Sequence, residues 1–237
     1  MRLPRVIKRI LIFAACLTAL LAGVVIWLWS SPSAFMGAAR VAMRWRLGVT
    51  EHSTMVDGHR WPWLEAGSVQ APPVILLHGY NTSMDAMMSI MAWIAPTHRA
   101  IAPDLPGFGQ HEAHPEVAHD GTFYATQVLR FMDTLGIKRA TIIGTSMGGA
   151  IAAEIAIIAP DRVDRLVLLA PAGLEPPFRN DFMRAVDRGE NPLRLESEED
   201  FRRIINLVFY RPPPTPPPVV RHFINEAQRR LPGTNRI

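Results

Sequence analysis

The longest apolar stretch lies near the start of the chain, where "ILIFAACLTALLAGVVIWLW" (Ile10 to Trp29) carries no charge and follows Arg2, Arg5, Lys8 and Arg9. At about 1.5 Å rise per residue, such a helix measures roughly 30 Å, the thickness of a bilayer's hydrocarbon core. The pattern predicts a basic N-terminus and membrane anchor over residues 1–30, with Trp27 and Trp29 where interfacial aromatics gather. A cleaved signal peptide would have a shorter apolar region and a small-x-small site, which "SSPSA" does not offer, so the anchor is expected to stay uncleaved. The preceding basic residues place the N-terminus in the cytoplasm and the remainder on the opposite face, which in a bacterium means an inner-membrane protein facing the periplasm. Residues 31–50 interleave Phe35, Met36, Val41, Met43, Trp45 and Leu47 with Arg40, Arg44 and Arg46. This juxtamembrane segment suits either the membrane surface or a helix packed on the following domain.

Beyond residue 50 the period changes. "HSTMV" and "HRWPWLEAG" flank Asp57-Gly58, a hairpin signal. Val74 to Leu77 and Arg99 to Ala102 read as buried strands, with a helix over Met84 to Ala95 between them. Tyr124, Val128, Phe131, Met132 and Leu135 fall on one helical face that Gly136 ends. A strand from Ala140 to Ile143, a helix from Met147 to Ala159 stopped by Pro160, and a strand from Leu166 to Leu169 complete the alternation. Strands alternating with helices imply a mostly parallel sheet covered by helices, an α/β fold in which chemistry gathers at the strands' carboxyl ends. Phe201, Ile204, Ile205 and Val208 then mark a helix that suits a lid over an acyl-chain pocket or an ordinary packed element. "PPPTPPP" predicts an extended polyproline segment.

Composition narrows the setting. With 237 residues, 49% of them hydrophobic, the chain supports one domain plus appendages. The single cysteine, Cys16, lies in the apolar stretch and has no partner for an intramolecular disulfide. A net charge of +4 and a pI near 9.8 raise the question of nucleic acid, but the basic residues are scattered and no aromatic-basic motif accompanies them, so none is expected.

The chemistry-bearing stretch is "IIGTSMGGAI". Ser146 is framed by Gly144 and Gly148 between a strand-like and a helix-like run, the GxSxG pattern in which a serine sits on a sharp turn with its hydroxyl exposed. A serine hydroxyl is a weak nucleophile and needs a base, usually a histidine oriented by a carboxylate.

The order "HGYNTS", "DLPGFG", "GTSMGG", "APAGL" resembles the α/β-hydrolase family over about residues 51–173. The basic N-terminus with its apolar span, "HGYNTSMDAM" and "APAGL" are similar to the membrane-anchored monoacylglycerol lipase branch, and "SEEDFRRIINLVFYRPPPTPPPVVRHF" is similar to its lid region. The resemblance implies a serine hydrolase of carboxylic or lipid esters without cofactor or metal, with Ser146 as nucleophile. It also implies that the backbone N–H groups of Tyr80 and Met147 are oxyanion donors. Epoxide hydrolases and dehalogenases put a carboxylate where this chain has Ser146, which disfavours them.

Other candidates have plainer readings. His78 of the HG pair is expected to be a structural hydrogen-bonding residue, and Asp104 to cap the turn in "PDLPG". His111, His114, His119 and Asp120 lack the HExxH spacing of a zinc helix and read as a polar surface loop. In the family the order is serine, acid, histidine. His222 is the sole histidine after Ser146, and no glycine-rich turn or preceding strand surrounds it, so it reads as a lid-region surface residue. The acid and base are unassigned, and the expectation is a chain that stops within an incomplete lid or cap region (174–237), lacking the C-terminal strands and impaired in catalysis. Three functions remain open: the ester hydrolase, a non-catalytic membrane-tethered lipid-binding protein, and a serine-based carbon–carbon bond hydrolase.

Overall fold

A computed structural model describes residues 4–111, 120–174 and 181–234. These fall into two compact units: one holds the described residues up to 39 together with 181–229, the other those from 40 to 174 together with 230–234.

In the first unit, α1 (Arg5–Ser30) is long and apolar enough to cross a membrane; the window Ile7–Ser30 reaches a mean hydropathy of 2.6 and none of it is buried. After Ser31 the chain enters α2 (Pro32–Leu47), and Trp29 meets Phe35 edge to face at 6.2 Å.

The second unit begins within α2. The hairpin forms as predicted: β1 (Thr50–Val56) pairs antiparallel with β2 (His59–Ala66). Asp57 (φ 52°) and Gly58 (φ 82°) both take the positive φ that a two-residue turn of matching twist requires. β3 (Pro73–Leu77) is followed by a 3₁₀ turn at Met84–Met87 and α3 (Met88–Ile94), a division of the expected single helix. β4 (Arg99–Pro103), α4 (Gly121–Thr134), β5 (Ala140–Thr145), α5 (Met147–Ile158) and β6 (Val163–Leu169) complete the unit. The sheet order is β1-β2-β4-β3-β5-β6, antiparallel at β1–β2 and β2–β4 and parallel from β4 to β6.

Both faces of this sheet are covered from β2 to β5, while β1 and β6 at its edges are largely exposed, and period-2 alternation sorts the strand residues between the two faces. Ile75, Leu77, Ile101 and Ile142 join Phe131 of α4 and Ile155 of α5, while Val74, Leu76 and Ile143 join Met87, Met88 and Met91 on the other side. α4 is capped at both ends. Asp120 Oδ1 accepts the Phe123 N–H at 2.8 Å, and at the other end Gly136 (φ 69°) donates to Asp133 O while Ile137 donates to Met132 O.

Back in the first unit, α6 (Asp181–Asp187), α7 (Glu198–Val208) and α8 (Pro217–Thr234) continue the chain. Ser197 and Asp200 form a reciprocal capping box at the start of α7. Phe201 of α7 is buried with Leu195 and with Ala227 of α8. The proline run departs from expectation, because Pro217 and Pro218 open α8 instead of continuing an extended segment. A helix's first turn tolerates proline, since its missing N–H would have no intrahelical partner there. Arg221 Nη2 donates to Trp29 O at 2.9 Å.

Replacing the α4 cap, Asp120→Ala, is expected to cost about 1 kcal/mol. A urea midpoint measured on detergent-solubilised protein by circular dichroism, lowered without a change of slope, would show it.

Candidate active site

Three loops leave the carboxyl ends of β3, β4 and β5, and glycines decide how closely they meet. A Cβ on Gly144 would overlap the Gly148 carbonyl and lie 2.7 Å from Gly149 Cα. One on Gly148 would overlap Leu77 O and lie 2.6 Å from His78 O, and one on Gly149 would come within 2.8 Å of Pro171 Cβ. Most of these neighbours are backbone and cannot swing aside. The first turn of α5 can therefore lie directly on the end of β3 only with glycine at these positions.

Between them Ser146 is held at φ 53°, ψ −118°, a conformation that L residues rarely adopt and that costs on the order of 1–3 kcal/mol. Surrounding hydrogen bonds hold it there: Ser146 N–H donates to Leu169 O at 3.0 Å, and its carbonyl accepts from Ala172 at 2.9 Å and Gly149 at 2.9 Å. Among the described residues the half-buried Ser146 hydroxyl makes no hydrogen bond. A side chain at Gly79 would start 3.9 Å from Ser146 Oγ, so the loop after β3 runs alongside the serine.

That loop contains Tyr80, and Asn81 beside it also has positive φ, 57°. Neither the Tyr80 nor the Met147 backbone N–H makes a hydrogen bond among the described residues. The Met147 N–H also belongs to a helix N-terminus, where the dipole favours negative charge. The Tyr80 ring meets Phe108 at 5.6 Å, and Phe108 lies 6.4 Å from Tyr124, whose hydroxyl donates to Pro106 O. Burial raises the pKa of both phenols, with Tyr80 adding to the effect at Tyr124, so both stay protonated at neutral pH.

His78 is fully buried, and both ring nitrogens face backbone. Nε2 accepts the Leu105 N–H at 3.0 Å, which leaves the proton on Nδ1 to donate to Gly79 O at 2.8 Å. This ring ties the β3 and β4 loops together and has no nitrogen left for proton transfer at Ser146.

Asp104 does more than cap its own turn. Oδ1 accepts the Met84 N–H and Oδ2 the Gln110 N–H, each at 2.7 Å, so one buried carboxylate joins the β4 exit to the loop after β3. Gly109, at φ 57°, has no room for a Cβ because the Asp104 carboxylate occupies the space. The glycine in "PGFG" was the available signal, but the partner on another loop was invisible. The expected polar surface loop is also corrected at one end: His111 is buried edge-on to Trp61 at 4.8 Å, and Asp120 caps α4. His114 and His119 lie outside the described residues. No cluster able to hold a metal occurs among the described residues. His222 lies on α8, its ring 5.8 Å from that of Phe223.

Residues 72–194 match the family model described as alpha/beta hydrolase fold. The chain belongs to the α/β hydrolase fold family. A crystal structure of a membrane phospholipase A, described as a bacterial virulence factor, shares 30% identity with a TM-score of 0.81, covering 97% of this chain and 74% of that one. Lipase 3 of Moraxella sp. (strain TA144) is 29% identical over 174 residues, 73% of this chain and 55% of that protein. The 2-hydroxymuconate semialdehyde hydrolase of Pseudomonas sp. (strain CF600) is 33% identical over 138 residues, 57% of this chain and 47% of that enzyme. The chain thus spans about half the length of these curated relatives.

Because the clash at Gly148 is with backbone, Gly148→Ala is expected to destabilise the second unit by about 1–3 kcal/mol. Gly121→Ala, where a Cβ meets nothing within 4 Å, serves as the control in the same denaturation series.

Proposed function

We propose that this chain is a membrane-anchored serine hydrolase that cleaves carboxylic esters of lipids by acyl transfer through Ser146. The observation that carries this reading is the Ser146 hydroxyl on its strained turn, with N–H groups at Tyr80 and Met147 on the two loops that meet there, all three without a hydrogen-bond partner among the described residues. Acyl transfer needs this set of parts: Ser146 Oγ attacks the ester carbon, and the carbonyl oxygen, becoming anionic, is stabilised by fixed donors. Tyr80 and Met147 N–H are those donors. Losing one such donor typically costs about 3–4 kcal/mol of transition-state stabilisation. Attack also requires a base and an orienting acid, which are assigned to no residue of this chain.

The substrate class is a single-chain acyl ester of glycerol, in keeping with the resemblance to monoacylglycerol lipases and with relatives named lipase and membrane phospholipase A. α1 anchors the chain in the bilayer with its N-terminus cytoplasmic, which brings the domain to where such lipids are. Similarity to a 2-hydroxymuconate semialdehyde hydrolase favours carbon–carbon bond hydrolysis as the second reading of the same serine. Turnover of a vinylogous 1,5-diketone in place of p-nitrophenyl butyrate would select it. Lipid binding without either turnover would select a non-catalytic, membrane-tethered protein.

A fluorophosphonate probe is expected to label the wild-type chain slowly, as suits a serine whose base and acid are unassigned, and Ser146→Ala to abolish labelling while leaving the circular dichroism spectrum unchanged. Labelling that persists at an unchanged rate would remove Ser146 from the mechanism. The protein is expected to stay in the membrane fraction after a high-salt wash and to begin upstream of Ile10; a mature N-terminus near Ser33 would contradict the anchor.

A further inference from the structure

The turn from Gly79 to Ser83 is held at both ends. Upstream, His78 fixes it through Gly79 O, which also accepts from Thr82 Oγ1 at 2.8 Å. Downstream, a closed circuit of polar contacts takes hold. Arg44 Nη2 donates to Asp85 Oδ1 at 2.7 Å and Nε to the same oxygen at 3.2 Å. Asp85 adjoins Met84, whose N–H is held by Asp104; Asp104 in turn holds the Gln110 N–H. Gln110 Nε2 donates to Glu51 Oε1 at 3.0 Å, and Glu51 Oε2 returns to Arg44 Nη1. Arg40 Nε adds a contact to Asp85 Oδ2 at 2.8 Å.

This circuit differs from an ordinary surface ion pair. The Arg44 side chain is only 11% exposed and that of Asp85 20%. Pairs open to solvent contribute little, whereas removing one member of a shielded pair leaves the other uncompensated. Burial alone would lower the pKa of Arg44, but Asp85 and Glu51 outweigh it and hold the guanidinium above its ordinary value. The segment being held is itself strained at Asn81, and such a conformation persists only where its surroundings over-determine it.

We propose that Arg44 and Asp85 are positioning residues for the Tyr80 N–H, through which the last turns of α2 set the efficiency of acyl transfer. The inference rests on the roles proposed above for Ser146 and Tyr80. Neither Arg44 nor Asp85 touches substrate; they act by fixing where the turn ends.

The test uses the full chain in detergent with two readouts. In fluorophosphonate inactivation, Arg44→Met and Asp85→Asn are expected to lower kinact about ten- to a hundredfold, as a displacement of about 1 Å in a catalytic group does, with KI within about twofold of wild type. Asp85→Glu is expected to recover most of the rate, and the double variant to be no worse than the poorer single one, because both break one circuit. In hydrogen exchange, Arg44→Met is expected to speed exchange at the hydrogen-bonded amides of Thr82 and Met84 while those of β5 and α5 keep their protection. An unchanged kinact, or a loss of protection spread over the whole second unit, would overturn the proposal. If the wild type is not labelled at Ser146, the functional reading fails, and the exchange pattern alone decides whether Arg44 holds the turn.

Discussion

The site depends on one backbone crossing, the first turn of α5 lying against the carbonyls of Leu77 and His78. Gly148 supplies the face that makes contact, and Gly144 lets the chain reverse beneath it. Add one methyl group and α5 must lift off the sheet. Lifting would draw Ser146 away from Gly79 and separate the two loops that carry the Tyr80 and Met147 N–H groups. The crossing also explains why hydrophobic burial alone could not specify this corner. The apolar residues of β3 and β5 bring the elements together, but only a missing side chain lets them approach this closely.

Strain is confined to the same end of the sheet. Among the described residues, and apart from Asp57 in the hairpin, the non-glycine residues with positive φ are Asn81, Ser146 and Ala170, which come after β3, β5 and β6. Each sits where a strand hands over to a loop. Ser146 and Ala170 restrain one another through the chain: Leu169 O receives the Ser146 N–H, and Ala172 donates to Ser146 O. Burial across the rest of the unit, in two apolar layers on either side of the sheet, offsets a cost on the order of a few kcal/mol at these positions.

What could be read from the sequence depended on the range of the physics involved. Local rules served well: Asp57-Gly58 for the hairpin, Gly136 for the end of α4, alternation for the strands, and the glycines around Ser146. Features that needed two distant segments did not show. Asp104 looked like a turn residue because Met84 is far away in sequence, and the partners of Arg44, Glu51 and Asp85, lie on two other segments. His111 looked solvated in its polar neighbourhood, since only the fold places Trp61 against it. The prolines at 217 and 218 misled for a different reason: proline is compatible with both an extended segment and a helix's first turn, and the β-branched Val219 and Val220 that follow give no local helix signal. Residues after Ser146 offered no histidine in a recognisable setting, so the catalytic base was not legible at all.

The backbone at Ser146 also restricts which side chains the position accepts. At φ 53° a branch at Cβ is pressed against the main chain, so threonine and valine are effectively excluded. Serine, cysteine, aspartate and alanine, each with at most one heavy atom on Cβ, can be accommodated. Threonine would bring the same hydroxyl chemistry, yet this turn rejects it on shape alone. The chemical repertoire open to divergence at this corner is therefore an alcohol, a thiol, an unbranched carboxylate or nothing, set by a torsion angle before any reactivity is considered.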